Sequence, residues 1–410
     1  MSNRKYSKRL AGIAAAVSAV VLTAVAFNAN AQAQEQDQAQ WQTRTWPELK
    51  AEAQARADRN AYPAFGMKSD DVREALSHID SLDRDQWAAA FMAIGDRYEA
   101  RAEGELAKNP AAARDDYYLA WNYYVFGRWP SPNSPGKKRS AEKAQAAFAA
   151  YGQLKETKIE VLRIPFEGKE IVAYLQKPTN VPKPPIVLDI GGADEYKDAV
   201  ADVGDAFVKR GIADVAVDMP GTGDAPLAAR PGSERIYTAL IDYLKTRSDL
   251  DGSRIVVRGV SWGSYWSARV AYANADRLKG AVFQSGEVDA YFTRDWQKTA
   301  LHTKEYLLDF PQSRLFILGQ PSIEAMLDFM PSMSLKPLLN KPTPPMLVIG
   351  GAHDTQNPYS DIELLLKSGS PKYAWINPEG GHMGRSKTWD NAKILDQVTM
   401  PWIVDRLNGK

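Results

Sequence analysis

The rhythm of apolar and polar positions changes three times along this chain. Residues 10–27 are apolar apart from Ser18 and Thr23, Gln and Ala dominate 32–42, and from about 45 to 154 the apolar positions recur at helical spacing. Five helices are predicted there, over 46–59, 69–79, 83–108, 111–128 and 138–154. Asp83 and Asn109-Pro110 mark helix starts, because a short acceptor side chain caps free N–H groups and proline fits the first turn. After Lys155 the period shortens. Runs at 158–164 and 171–175 alternate on either side of Glu167-Gly168, which predicts an antiparallel hairpin at a sheet edge. Nearly unbroken apolar runs follow at 185–190 (interrupted only by Asp189), 213–217, 254–260, 278–284, 346–350 and 373–376. Buried parallel strands read this way. Helices are predicted over 198–210, 233–248, 361–368 and 391–407, and a helically patterned insertion over about 287–345. The expected fold class is α/β, a mostly parallel sheet flanked by helices in residues 155–410, preceded by an all-helical region at 45–154.

The N-terminus adds a destination. Arg4, Lys5, Lys8 and Arg9 precede the apolar run, and Ala29-Asn30-Ala31 follows it as a small-x-small pattern. Residues 1–31 therefore read as a secretory signal peptide, with an uncleaved membrane anchor as the alternative, and 32–44 as a disordered linker. The expected location is periplasmic or secreted, without stable membrane insertion once the signal is cleaved. Composition mainly excludes. The chain has no cysteine, which removes disulfides, a thiol nucleophile and thiolate metal ligands. Its 51 basic and 50 acidic residues nearly cancel, so nothing favours nucleic acid as a partner. No H-E-x-x-H or P-loop pattern is present, and neither a metal nor a cofactor is expected.

Candidate chemistry centres on Gly259-Val260-Ser261-Trp262-Gly263, between the apolar run 254–260 and a helix-like segment. This is a G-x-S-x-G pattern, in which a strand turns sharply into a helix with the serine at the tip. The flanking glycines remove side chains where the backbone is strained and crowded. In this setting the region from about 155 to the C-terminus resembles the α/β-hydrolase family. The resemblance implies the chain order nucleophile, acid, histidine: Ser261, then Asp354 after the strand at 346–350, then His382 after the strand at 373–376. Asp361 and Glu363 are alternative acids but fall within the next helix. Among the other histidines, His78 and His302 lie in helical segments and His353 adjoins the acid. In the implied chemistry His382 takes the Ser261 proton and returns it to the leaving group, while Asp354 orients the ring. The oxyanion hole would use the N–H of Trp262 and one from the turn after 185–190, Ala193 by preference and Gly192 next. The loop at 218–223 also resembles one common in the family and reads as structural.

Gly191, Gly192, Asp194, Glu195 and Lys197, taken with these three residues and the helical region, are similar to one branch of that family. It holds FrsA-like esterases and carbon–carbon bond hydrolases related to dihydropseudooxynicotine hydrolase. The resemblance implies a serine esterase working through an acyl-enzyme, or alternatively hydrolysis of a carbon–carbon bond beside a ketone with the same residues. A serine peptidase and an inactive hydrolase-fold binding protein are further alternatives; propeller-like repeats and a paired-carboxylate site for a peptide amine are not evident. The carbon–carbon branch implies one more acid, for which Glu287, Asp289 and Asp295 are candidates, each also readable as a solvated loop carboxylate. Aromatic residues of the helical region, such as Trp87, Phe91 and Tyr98, read as bundle core, while a few between 117 and 129 are candidates for a pocket wall beneath a helical lid. The insertion carries Tyr291, Phe292, Trp296, Tyr306 and Phe310 among others, which argues for a small-molecule substrate with an apolar or aromatic part.

Overall fold

Among the described residues five helices come first: α1 Trp46–Asp58, α2 Ser69–Ser77, α3 Arg84–Glu105, α4 Pro110–Arg128 and α5 Pro135–Leu154. They are seen in a computed structural model that describes Trp41, residues 43–369 and residues 371–410. The expected signal peptide and most of the expected linker lie outside these residues. Both start signals act as caps: the Asp83 carboxylate accepts the N–H groups of Asp85 and Gln86, and the Asn109 side chain that of Ala112. Trp87, Phe91 and Phe126 pack with ring centroids 4.6–5.0 Å apart and form the bundle core. Gly95 allows α3 and α4 to close, since a Cβ there would lie 2.5 Å from the Tyr124 ring.

Eight strands follow: β1 Glu160–Phe166, β2 Lys169–Gln176, β3 Ile186–Ile190, β4 Ala213–Val217, β5 Ile255–Val260, β6 Gly280–Gln284, β7 Met346–Gly351 and β8 Lys372–Asn377. They form one sheet in the order β1-β2-β4-β3-β5-β6-β7-β8, antiparallel from β1 to β4 and parallel beyond. The hairpin turns on Glu167 and Gly168 at φ 48° and 76°, so both central residues take the left-handed conformation that suits strand twist. One face of the sheet presents Val187, Val256, Val282, Leu347 and Ile349 to a buried cluster that includes Phe207, Ile394 and Ile403.

Between strands lie α6 Lys197–Val203, α7 Asp205–Val208, α8 Arg235–Thr246 and α9 Trp262–Ala273; the insertion holds α10 Arg294–Ala300, α11 Phe310–Leu318 and α12 Ile323–Phe329; then come α13 Tyr359–Leu366, α14 Asn391–Ile394 and α15 Met400–Leu407. Two predicted helices are interrupted. The one expected over 198–210 breaks at Gly204, where the backbone approaches buried side chains so closely that a Cβ would lie 2.3 Å from Gln176 Nε2. The one expected over 391–407 carries a π-turn at Leu395–Thr399, just before Pro401, which has no N–H for the regular ladder.

Residues Arg44–Lys410 form one compact unit, so the helical region packs directly on the sheet and insertion. Asp309 ties these parts together. Its carboxylate accepts Arg84 through Nε and Nη2 at 2.7–2.9 Å, Lys137 Nζ at 2.9 Å and Asn133 Nδ2 at 2.7 Å. Among the described residues, no helix is long and apolar enough to cross a membrane.

Candidate active site

Ser261 is the last step of β5 before α9 and stands at φ 51°, ψ −129°, a left-handed strained conformation for a residue with a side chain. The glycines make this turn possible. A Cβ on Gly259 would lie 2.1 Å from the Gly263 carbonyl oxygen, and one on Gly263 would lie 2.2 Å from that of Ile190. The turn is fastened from the sheet side: the Ser261 N–H donates to the Gln284 carbonyl at 2.9 Å, and Ser264 Oγ accepts the Gln284 N–H at 2.8 Å.

His382 and Asp354 arrive from the carboxyl ends of β8 and β7 respectively. His382 Nε2 lies 2.9 Å from Ser261 Oγ, and His382 Nδ1 lies 2.9 and 3.2 Å from the two Asp354 oxygens. Asp354 Oδ1 also accepts the Gln356 and Asn357 N–H groups at 2.9 and 3.0 Å. Burial works against ionisation of this carboxyl, but the adjacent His382 ring and these hydrogen bonds outweigh it and hold its pKa below the usual range. The three expected residues are thus joined in one hydrogen-bonded chain. Such a chain has the geometry to pass the serine proton to the imidazole as the oxygen attacks an electrophile.

The loop bearing His382 is locked in a way the sequence did not announce. Met383, at φ 63°, donates its N–H to Ser285 Oγ at 3.0 Å, and Gln284 Nε2 donates to the Met383 carbonyl at 3.0 Å. Ser285 is itself at φ 53°, and its carbonyl accepts Asn357 Nδ2 at 3.2 Å. Thus one strand end, 284–285, holds the loops of all three residues.

The remaining candidates separate cleanly. Trp262 opens α9, so its N–H has no carbonyl one turn earlier to bond to. Gly192 packs beside Ser261, since a Cβ there would lie 3.2 Å from Ser261 Cβ, and the next residue, Ala193, is buried. Asp361 faces away, accepting the N–H groups of Val288, Ala290 and Tyr291 at 2.7–3.1 Å. His78, His302 and His353 are exposed. Of the loop acids, Asp295 is exposed and Asp289 accepts the Ser334 hydroxyl at 2.6 Å, whereas Glu287 is buried. Burial, opposed mainly by Arg314, pushes the Glu287 carboxyl up to about 8. Lys197, deep inside, pairs with Asp218 at 2.8 Å and Asp224 at 2.6 Å, which gives the loop at 218–223 its structural role.

A cavity of about 20 Å³ borders Ser261 and His382, walled by Tyr62, Asp194, Glu195, Tyr306 and Arg385 among others. Asp194 draws this wall together. Its carboxylate accepts the Tyr62 hydroxyl, Trp129 Nε1 at 2.7 Å and the Tyr306 hydroxyl at 3.3 Å, from the helical region and the insertion. Tyr62 is the residue sequence reading missed: a lone aromatic in a loop carries no periodic signal. Most aromatics between 117 and 129 are instead buried in the packing of the helical region. Burial and the neighbouring Asp194 push the Glu195 carboxyl up to about 7. An adjoining cavity of about 440 Å³ shares Glu195, Met383 and Arg385 and is lined by apolar residues including Val200, Val203 and Leu395. Among the described residues, no group of acidic and histidine side chains is placed to hold a metal ion.

Comparison with known proteins places the chain in a family. The family model described as Esterase FrsA-like matches residues 82–403. Hydrolyase poxO of Penicillium oxalicum is 27% identical over 269 residues, 61% of this chain and 62% of its own length, and hydrolase ORFZ of Pyricularia oryzae is 32% identical over 238 residues, 52% and 55%. The chain therefore spans little more than half the length of these fungal relatives. Esterase FrsA of Vibrio cholerae is 26% identical over 348 residues, 80% of each chain. Among solved structures, 2,6-dihydroxy-pseudo-oxynicotine hydrolase aligns with a TM-score of 0.70 at 19% identity, covering 84% of this chain and 95% of that one. AbyA5 aligns at 0.66 and 20%, covering 88% and 94%. Both likenesses concern the fold. With most of the chain matched by the family model, this protein belongs to the FrsA-like esterase family, and its fold is that of the α/β-hydrolases.

Proposed function

We propose that this chain is a serine hydrolase that cleaves a carboxylic ester through an acyl-enzyme, with Ser261 as nucleophile, His382 as general base and then acid, and Asp354 as the group orienting the ring. The observation that carries the reading is the unbroken contact from Ser261 Oγ through His382 to Asp354, at 2.9 Å on each side of the ring. In the first half-reaction Ser261 Oγ bonds to the acyl carbon as its proton moves to His382 Nε2, and collapse of the adduct sends that proton to the departing alcohol. Water then repeats the sequence and releases the acid. The Trp262 N–H and that of Ala193, with Gly192 next, receive the carbonyl oxygen as it gains charge.

In this reading the helical region is a lid, because Tyr62 from that region and Tyr306 from the insertion border the serine. A space of about 20 Å³ has room for roughly one water molecule. Substrate entry therefore requires these side chains to move. The adjoining apolar cavity of about 440 Å³ is the space for an apolar or aromatic substrate group. The N-terminal pattern supports export to the periplasm or medium, which fractionation of cells expressing the full chain and sequencing of the mature N-terminus would test.

A second reading, hydrolysis of a carbon–carbon bond beside a ketone, is favoured by one observation. Glu287 is buried, its Oε2 has no hydrogen-bond partner among the described residues, and its pKa of about 8 keeps it a proton donor at neutral pH. Hydrolysis of p-nitrophenyl esters and of aryl 1,3-diketones, assayed side by side, separates the two. Under either reading Ser261→Ala lowers kcat/KM by at least about 10,000-fold without unfolding the protein. A fluorophosphonate probe should label the wild type and not the variant; turnover retained by the variant would refute both readings.

A further inference from the structure

Arg314, on α11 of the insertion, is 4% exposed. Its guanidinium carbon lies 4.2 Å from the centroid of the Trp262 ring and 4.6 Å from that of Phe310. Its Nε and Nη1 atoms are buried without a hydrogen-bond partner among the described residues. Three other buried arginines are ion-paired: Arg56 meets Glu52 at 2.7 Å, Arg258 meets Asp189 at 2.5 Å and Arg269 meets Glu234 at 2.8 Å. Arg128, which stacks on the Tyr196 ring, has a carbonyl acceptor, that of Asp194 at 3.2 Å. A guanidinium keeps its charge and presents five donors in a planar fork, so burying it without acceptors is costly unless something else fills that role.

Its position says what that something is. Tyr306 and Asp194, both electrostatic neighbours of Arg314, line the cavity at Ser261, and the Trp262 ring that it covers belongs to the residue following the nucleophile. The leaving group departs on the side of His382, which must protonate it, while the carbonyl oxygen points to the Trp262 N–H. Arg314 does not itself line the cavity at Ser261; through its contact with Trp262 it lies on the oxyanion side of Ser261 rather than on the His382 side. Burial pushes the other nearby carboxyl, Glu287, up to about 8, which weakens its opposition to the Arg314 charge.

Resting on the serine-hydrolase reading, we propose that Arg314 receives an oxyanion carried on the acyl half of the substrate and so selects anionic acyl groups. A carboxylate at the end of the acyl chain and the ionised enol of a 1,3-diketone both present this chemistry. Guanidinium forks bind such oxygens with charge-assisted hydrogen bonds.

The test compares p-nitrophenyl pentanoate with p-nitrophenyl hemiglutarate, which differ only in a terminal carboxylate, and adds an aryl 1,3-diketone followed across its enol ionisation. The wild type should prefer the hemiglutarate, or the ionised over the neutral diketone, by at least about tenfold in kcat/KM. R314Q should lose at least about 30-fold on whichever anionic substrate is preferred and less than about threefold on the pentanoate, with R314K between them. Wild-type enzyme without preference in either arm overturns the proposal, as does an R314Q that loses equally on neutral and anionic substrates. If R314Q does not fold, the wild-type preference and the R314K result decide. Fluorophosphonate labelling keeps the two ideas apart: labelling without charge preference removes the role of Arg314 alone, whereas wild-type enzyme that is never labelled removes the serine-hydrolase reading beneath it.

Discussion

At the scale of single residues, the site places opposite demands on its carboxyls. Asp354 must stay ionised and is given a ring and two N–H groups to keep it so. Glu287 is pushed the other way, to about 8, by burial, with Arg314 opposing and Asp361 adding to it. Because the folded pKa of Glu287 lies above its unfolded value, the folded state binds more protons in between, and stability falls as pH rises from about 4 toward 8. Glu287→Gln removes this penalty while retaining most of the shape. The variant should therefore gain thermal stability over the wild type at pH 8.5 and lose that advantage at pH 4, as calorimetry at the two values would show. An equal difference at both would mean that Glu287 does not titrate in this way. The contrast between these acids was only partly legible beforehand. Ser261, Asp354 and His382 could be named because each follows its own strand, whereas Glu287, Asp289 and Asp295 all follow the same strand, β6, and only burial and partners tell them apart.

At the scale of elements, the strand–turn–helix of β5 and α9 depends on backbone proximity. Gly263 faces the Ile190 and Gly191 carbonyl oxygens at 2.2 and 2.5 Å from where a Cβ would stand. Neither neighbour is a flexible side-chain end. Gly263→Ala should push α9 away from β3 and destabilise the protein by about 2–3 kcal/mol, measured by urea unfolding. It should also lower fluorophosphonate labelling, because Ser261 turns with the helix; a variant of unchanged stability would show that the elbow has slack. The periodic signal located β5 and α9, but it overran elsewhere. It ran a single helix through Gly204 and another through Leu395–Thr399, since an apolar pattern does not report a backbone pressed onto Gln176 or a ladder widened near a proline.

At the scale of the whole molecule, the helical region, sheet and insertion are joined by buried carboxylates. Asp309 receives Arg84 and the fully buried Lys137, and these partners hold its pKa below the usual range despite the cost of burial. Asp309→Ala leaves both cations without their carboxylate and should cost about 3–5 kcal/mol at pH 7. A depressed carboxyl contributes stability that is present above its unfolded pKa and lost as pH falls through the folded one. The difference between wild type and variant should therefore shrink below about pH 4. Hydrogen exchange should rise in α3, α5 and α11 together if the lid closes through this contact; loosening confined to α11 would argue that the helical region closes independently.

The sequence by itself determined the α/β class, the strand run, the edge hairpin and the place of Ser261 at a strand-to-helix turn, because these depend on local periodicity and on glycines beside one serine. It also carried the family resemblance. Only the tertiary structure decided which side chains meet. Tyr62 and Tyr306 lie 244 positions apart, yet both donate to Asp194. Arg314 comes to rest against Trp262. Pairings of this kind are set by how layers of helices and sheet pack, and linear spacing holds no record of them.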